Sequence, residues 1–233
     1  MSTNNSTDQL KTPEGDLKMR PFSRRSFLLF AGAAGLTTYA TSCNKNDDDN
    51  MDDGVDLGKD DIGILNYAYA LEQLEAAFYT QVILTPFSGI TDGEKALLTD
   101  IRDHEIAHRE FFKNALKTAA IPGLEVNFMS VDFSKRESVL ATAKAFEDLG
   151  VSAYNGAGRL LQSPDYLVVA GKIVSVEARH AAYIRDIISN GSFADSSVID
   201  MNGLDKALMP REVLTIASPY IKTKINASNL PTS

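Results

Sequence analysis

Two of the chain's three histidines stand three residues after a glutamate, in Glu105-Ile106-Ala107-His108 and Glu177-Ala178-Arg179-His180. Residues three apart on a helix share a face, so each pair can aim a carboxylate and an imidazole at one point. Two further glutamates, Glu72 and Glu147, have matched surroundings. Each stands seven residues before a tyrosine, Tyr79 or Tyr154, and each precedes one of the Glu-x-x-His motifs. Four carboxylates and two imidazoles form a donor set for two divalent cations. Buried without compensation, the carboxylates would cost several kcal/mol apiece. Two cations of charge +2 offset all four while the imidazoles stay neutral; without them the acids must take up protons.

These residues need long helices to position them, and the chain from about residue 60 reads as helix almost throughout. The first helix spans roughly 60–84, with Leu65, Ala68, Glu72, Glu75, Tyr79 and Val82 on one seam. The second opens with Thr91 as N-cap and Glu94 three residues on, a capping box, and stops before Pro122-Gly123. A third is expected from a like signal at Ser134 and Glu137, running to about Gln162. A fourth has Ser163 as N-cap, Pro164 at its first position, and an end near Asn190-Gly191. Short links make each pair an antiparallel hairpin. The link 121–133 is different: about 13 extended residues reach ~43 Å, the length of a ~28-residue helix. It can therefore run the whole bundle length. This predicts an all-α, four-helix bundle with one long crossover between helices two and three, plus a short amphipathic helix after Pro210. Residues from Asn226 onward read as a frayed tail.

Beside the six donors, Glu75 lies on the same seam and is an alternative to Glu72; the matched Glu-to-Tyr spacing favours Glu72. Glu75, Tyr79 and Tyr154 are candidates to support the donors from behind, the tyrosines as core residues with hydrogen-bonded hydroxyls. His104 reads as a rim histidine, Asp148 as a solvated acid, and Asp103 as a candidate hydrogen-bond acceptor for the site.

Leu65-Asn-Tyr-Ala-Tyr-Ala-Leu-Glu72-Gln-Leu-Glu75-Ala-Ala-Phe-Tyr79 resembles the opening helix of bacterial exported ferritin-like domain proteins, and Pro210-Arg-Glu-Val-Leu214 is similar to their closing segment. The resemblance covers about 60–190 and implies a di-metal carboxylate centre. By that likeness Glu72 and His108 bind one metal and Glu147 and His180 the other. Glu105 and Glu177 bridge them and form the catalytic core. The implied cofactor is two Fe ions, or two Mn, reacting with O2 or H2O2 in an oxidase, ferroxidase or catalase-like reaction. A surface lipoprotein with a structural or vestigial metal site is the non-enzymatic alternative.

The front end has a separate character. Ser23-Arg24-Arg25-Ser26-Phe27-Leu28, followed by an apolar stretch to Ala40, resembles a twin-arginine export signal. Small residues before Cys43 resemble a lipoprotein processing site, although Ala40 stands where leucine is usual; cleavage near Ala40 with an inert Cys43 is the alternative. Residues 1–43 thus read as an export signal and the acid-rich 44–59 as a disordered tether. The expected location is the periplasm or cell surface, with membrane attachment through acyl chains on Cys43. Such a tether speaks against a closed storage cage and leaves other oligomers open. The 233 residues are 44% apolar with a net charge of −8, an acidic balance that argues against a nucleic-acid partner. One cysteine excludes a disulfide scaffold or a cysteine-ligated metal.

Overall fold

The computed structural model describes residues 54–232. Arg24, Arg25, Cys43 and most of the tether lie outside the described residues. Four long helices carry the architecture: α1 (Asp60–Leu84), α2 (Asp92–Leu116), α3 (Arg136–Gly158) and α4 (Pro164–Ile188); a short α5 (Pro210–Ala217) follows. No helix among the described residues is long and apolar enough to cross a membrane.

Helix α1 is the buried centre. Its sequence is apolar nearly all round from Gly63 to Leu71, and a helix without a polar face has to be covered on every side. Residues 63–76 are accordingly buried without interruption. Helix α2 covers one side and α3 another. The crossover covers the rest, running along α1 in the direction of its chain. Near the start of α1, Asn66 donates to the Ala119 carbonyl at 2.9 Å and accepts from the Ile121 amide at 3.0 Å. One turn pair later, Gln73 accepts from the Leu124 amide at 2.8 Å. Phe78 then packs edge-on against Phe128, and beyond the helix Ser88 donates to the Ser134 carbonyl at 3.1 Å. The predicted bundle with its lengthwise crossover is the observed one. Val126 and Phe128, which a plain up-and-down connection would expose, are half-buried against the core.

Two helix starts follow the expected caps. The Thr91 hydroxyl accepts from the Glu94 amide at 3.2 Å while Glu94 accepts from the Thr91 amide at 3.0 Å. Ser163 caps α4, with Pro164 in its first turn. The start of α3 differs. Helix α3 begins at Arg136, and Ser134 is no cap because its hydroxyl donates to Asp132 Oδ1 at 2.6 Å. A local carboxylate has taken the hydroxyl that a capping box requires. The helix also ends at Gly158, four residues earlier than expected, where tight turns bring Gln162 and Ser163 amides onto the Asp61 carboxylate at 2.7 and 2.9 Å.

The chain ends depart from expectation as well. The expected tether reaches residue 59, but Val55–Asp56 (β1) pairs in parallel with Ile225–Asn226 (β2), and Leu57 is fully buried. The expected frayed tail is therefore held from Ile225 to Leu230, which is 5% exposed. Buried apolar anchors and strand hydrogen bonds outweigh the polar character of both segments.

Candidate metal centre

The six predicted donors come from four different helices and meet in the bundle interior. Glu72 lies on α1, Glu105 and His108 on α2, Glu147 on α3, Glu177 and His180 on α4. They form two groups that share Glu105 and Glu177. One adds Glu72 and His108, the other Glu147 and His180; within each group one ligand atom per residue lies within 4.8 Å of the others. All four carboxylates are fully buried, and His180 is 5% exposed.

Antiparallel packing explains why one copy of each motif meets the other. Nδ1 of His108 on α2 lies 2.9 Å from Glu177 on α4 and 3.4 Å from Glu72 on α1. Nδ1 of His180 mirrors it, 2.9 Å from Glu105 and 3.4 Å from Glu147. The tyrosines cross between α1 and α3. The Tyr79 hydroxyl donates to Glu147 Oε1 at 2.5 Å, and the Tyr154 hydroxyl donates to Glu72 Oε1. Since Tyr79 follows Glu72 and Tyr154 follows Glu147 along the chain, the crosswise pairing makes α1 and α3 antiparallel. Each non-shared glutamate thus has one oxygen held by a tyrosine of the other half and one left facing inward.

The inward atoms test whether a cation fits. Glu72 Oε2, Glu147 Oε2, both oxygens of Glu105 and Glu177, and Nδ1 of both histidines are buried without a hydrogen-bond partner. Their nitrogen–oxygen separations are short, 2.9–3.7 Å, yet the angles are not those of hydrogen bonds. Within each group of four residues one such atom per residue lies within 4.8 Å of the others, the spacing of donors around a shared cation. Unpartnered buried polar atoms cost ~1–3 kcal/mol each, and eight in one place would be prohibitive in a plain core. Cations within the two groups would satisfy all eight. The residues fit two divalent ions.

Electrostatics of the metal-free cluster agree. Burial, reinforced by the charge of Glu177, pushes Glu72 well above the usual carboxylate range. Burial likewise raises Glu147 to about 8, against the pull of His180. Burial alone would raise Glu105 too, but the close imidazoles of His108 and His180, at 3.7 and 2.9 Å, outweigh it and hold Glu105 at about 2. Desolvation works against charge on the histidines; their carboxylate neighbours prevail and raise both to about 12. In the absence of cations the cluster keeps protons in their place.

The alternative donor Glu75 does not join either group. It is 4% exposed, on the turn below Glu72, and its carboxylate sits against Gly150 of α3, where an added Cβ would meet Oε1 at 3.2 Å. Burial and the four neighbouring glutamates push it well above the usual range. Asp103 is exposed and paired with Arg102 at 2.7 Å, so it does not support the site. Asp148 is not simply solvated: Arg185, itself 2% exposed, donates to it at 2.7 Å and to Asp195 at 2.8 Å, pinning the segment after α4 to the bundle. His104, read as a rim residue, is exposed but its Nδ1 lies 2.9 Å from Nε2 of His180. The signal for it was present, since His104 precedes His108 by four residues and so shares its helix face.

Comparison with known proteins yields no curated relative. A family model described as ferritin-like domain matches residues 60–190, the four long helices and their crossover. With more than half of its length matched, and with a buried carboxylate–histidine cluster where the four helices meet, the chain belongs to the ferritin-like domain family.

Proposed function

We propose that the bundle is a di-iron centre which reacts with dioxygen or peroxide on the outer side of the cytoplasmic membrane, in a protein exported through its twin-arginine segment and anchored at Cys43. The observation that carries the reading is the convergence of eight buried, unpartnered donor atoms from four helices. Glu105 and Glu177 belong to both groups and would bridge the pair; Glu72 with His108 and Glu147 with His180 would complete the two sites. A pair of ferrous ions bound there supplies two electrons for reducing such an oxidant. Oxygen and nitrogen donors suit iron and manganese, while general affinity order would favour copper or zinc, so selection has to come from geometry and from loading.

The chain's own groups do the remaining work. Tyr79 and Tyr154 hold the outer oxygens of Glu147 and Glu72 and leave one oxygen of each free to ligate. Full burial of the four glutamates keeps bulk water away from their charge. The protons that the metal-free cluster retains on histidine and glutamate must leave as cations enter, which links loading to pH.

The test is oxidant consumption. Full-length chain loaded anaerobically with two equivalents of Fe(II) should take up oxygen far faster than free Fe(II), and Glu105→Ala should abolish the difference. Oxygen release from peroxide by a manganese-loaded chain alone would place it with catalases instead. Oxidation no faster than that of free iron would contradict the proposal.

A further inference from the structure

His104 is exposed on α2, yet its Nδ1 reaches across to Nε2 of the buried His180 on α4 at 2.9 Å. The two rings are nearly coplanar, their planes 8° apart and their centroids separated by 5.2 Å. The lone pair and the N–H of an imidazole both lie in the ring plane, so this is the arrangement for one ring to donate to the other. The direction of donation follows from the rest of His180. Its Nδ1 faces Glu105, Glu147 and Glu177 at 2.9, 3.4 and 3.4 Å, and a ligand nitrogen must keep its lone pair. The proton then belongs on Nε2, with His104 Nδ1 as its acceptor.

Nothing equivalent serves the other histidine from the matching place. The residue before Glu177 is Val176, whose side chain cannot accept a hydrogen bond. We infer that His104 is a positioning residue: it fixes the tautomer and ring orientation of His180 and so strengthens cation binding at the Glu147–His180 half alone. The two cation sites, alike in donors, are therefore unequal in affinity. Hydrogen-bond partners behind a ligating histidine typically change metal affinity by about 10–100-fold. This inference rests on the two-cation reading of the centre.

Anaerobic titration of the full chain with Co(II), followed by calorimetry and by the ligand-field bands, tests it. The parent should bind two ions. In His104→Leu one ion should bind about 10–100-fold more weakly with altered bands, while the other binds as in the parent. His104→Asn places an oxygen where Nδ1 stood and should recover most of the loss. Metal-free His104→Leu should stay folded but melt below the parent, because the buried His180 N–H loses its acceptor, and His104→Asn should melt as the parent does. Two ions bound by His104→Leu as tightly as by the parent would overturn the inference and leave the two-cation reading standing. Equal weakening of both ions, unrelieved in His104→Asn, would also overturn it. A parent that binds fewer than two ions would overturn the two-cation reading itself.

Discussion

The hairpin α1–α2 and the hairpin α3–α4 give the site the same parts in the same order, a glutamate, a tyrosine seven residues on, then Glu-x-x-His. They differ in what stands around those parts. Three residues after Glu72 comes Glu75; three residues after Glu147 comes Gly150, and the carboxylate of the one fills the space left by the other. One residue before Glu105 comes His104; one residue before Glu177 comes Val176. The inner donors are thus duplicated and their supports are not. Under the proposed function a cation pair needs matched donors to neutralise four carboxylates, which would constrain both halves alike. Supports are free to diverge, and divergence there can make two like sites bind unequally.

The largest effect that should separate duplicated from single parts is metal removal read against pH. The metal-free fold keeps protons that the unfolded chain would release. His108 and His180, raised to about 12, contribute stability fully below their ordinary value of 6.5 and lose it as pH climbs toward 12. Glu147, raised to about 8, costs stability as pH passes from 4.5 to 8, and Glu72 and Glu75 act in the same sense. Glu105 acts oppositely, its contribution present above 4.5 and lost toward about 2. Between pH 5 and 9 the metal-free chain should therefore lose stability as pH rises, by about 1.4 kcal/mol per pH unit for each proton held only in the folded state. Cations should remove most of that slope. Thermal melts with and without Fe(II) or Mn(II) across this range check it; parallel slopes would mean that cations do not displace the retained protons.

How far the sequence could foretell this depends on the range of the interaction. Helical spacing displayed the six candidate donors because pointing side chains at one spot is a same-face property of each helix. The cap at Thr91 and the 13-residue crossover were equally local facts. Ser134 followed by Glu137 carries the same signal as Thr91 with Glu94, yet Asp132 two residues earlier competes for the hydroxyl. The pairing of Val55–Asp56 with Ile225–Asn226 joins opposite ends of the described chain, and no local pattern announces such a contact. His104 with His180 and Asp148 with Arg185 are contacts between elements, set by how helices and loops dock.

A smaller effect probes Glu75 against Gly150. Glu75→Gln keeps the shape and removes a carboxylate that burial disfavours, so the metal-free chain at neutral pH should become more stable, by ~1–3 kcal/mol. Gly150→Ala puts a methyl 3.2 Å from Glu75 Oε1 and should destabilise the parent. In a Glu75→Ala background the same change should instead gain up to ~1 kcal/mol of helix propensity. Denaturant unfolding of the parent, Glu75→Ala, Gly150→Ala and their double variant gives the coupling directly; additive effects would mean the two positions do not share the space.

The smallest effect tests the duplicated supports. Tyr79→Phe and Tyr154→Phe each remove one hydroxyl from one glutamate, and each should cost ~1–2 kcal/mol. The comparison predicts similar losses, because the two bonds are related crosswise. A large inequality in chemical denaturation would show that the halves differ at the tyrosines as well.

The proposed function requires that six inward-facing residues hold two cations. Metal content of the purified full-length chain, measured after anaerobic loading and exhaustive dialysis, addresses it most directly. Two ions per chain are expected in the parent, one in Glu72→Ala, one in Glu147→Ala, and fewer than one in the Glu105→Ala, Glu177→Ala double variant. A parent retaining no metal, or variants retaining as much as the parent, would contradict it.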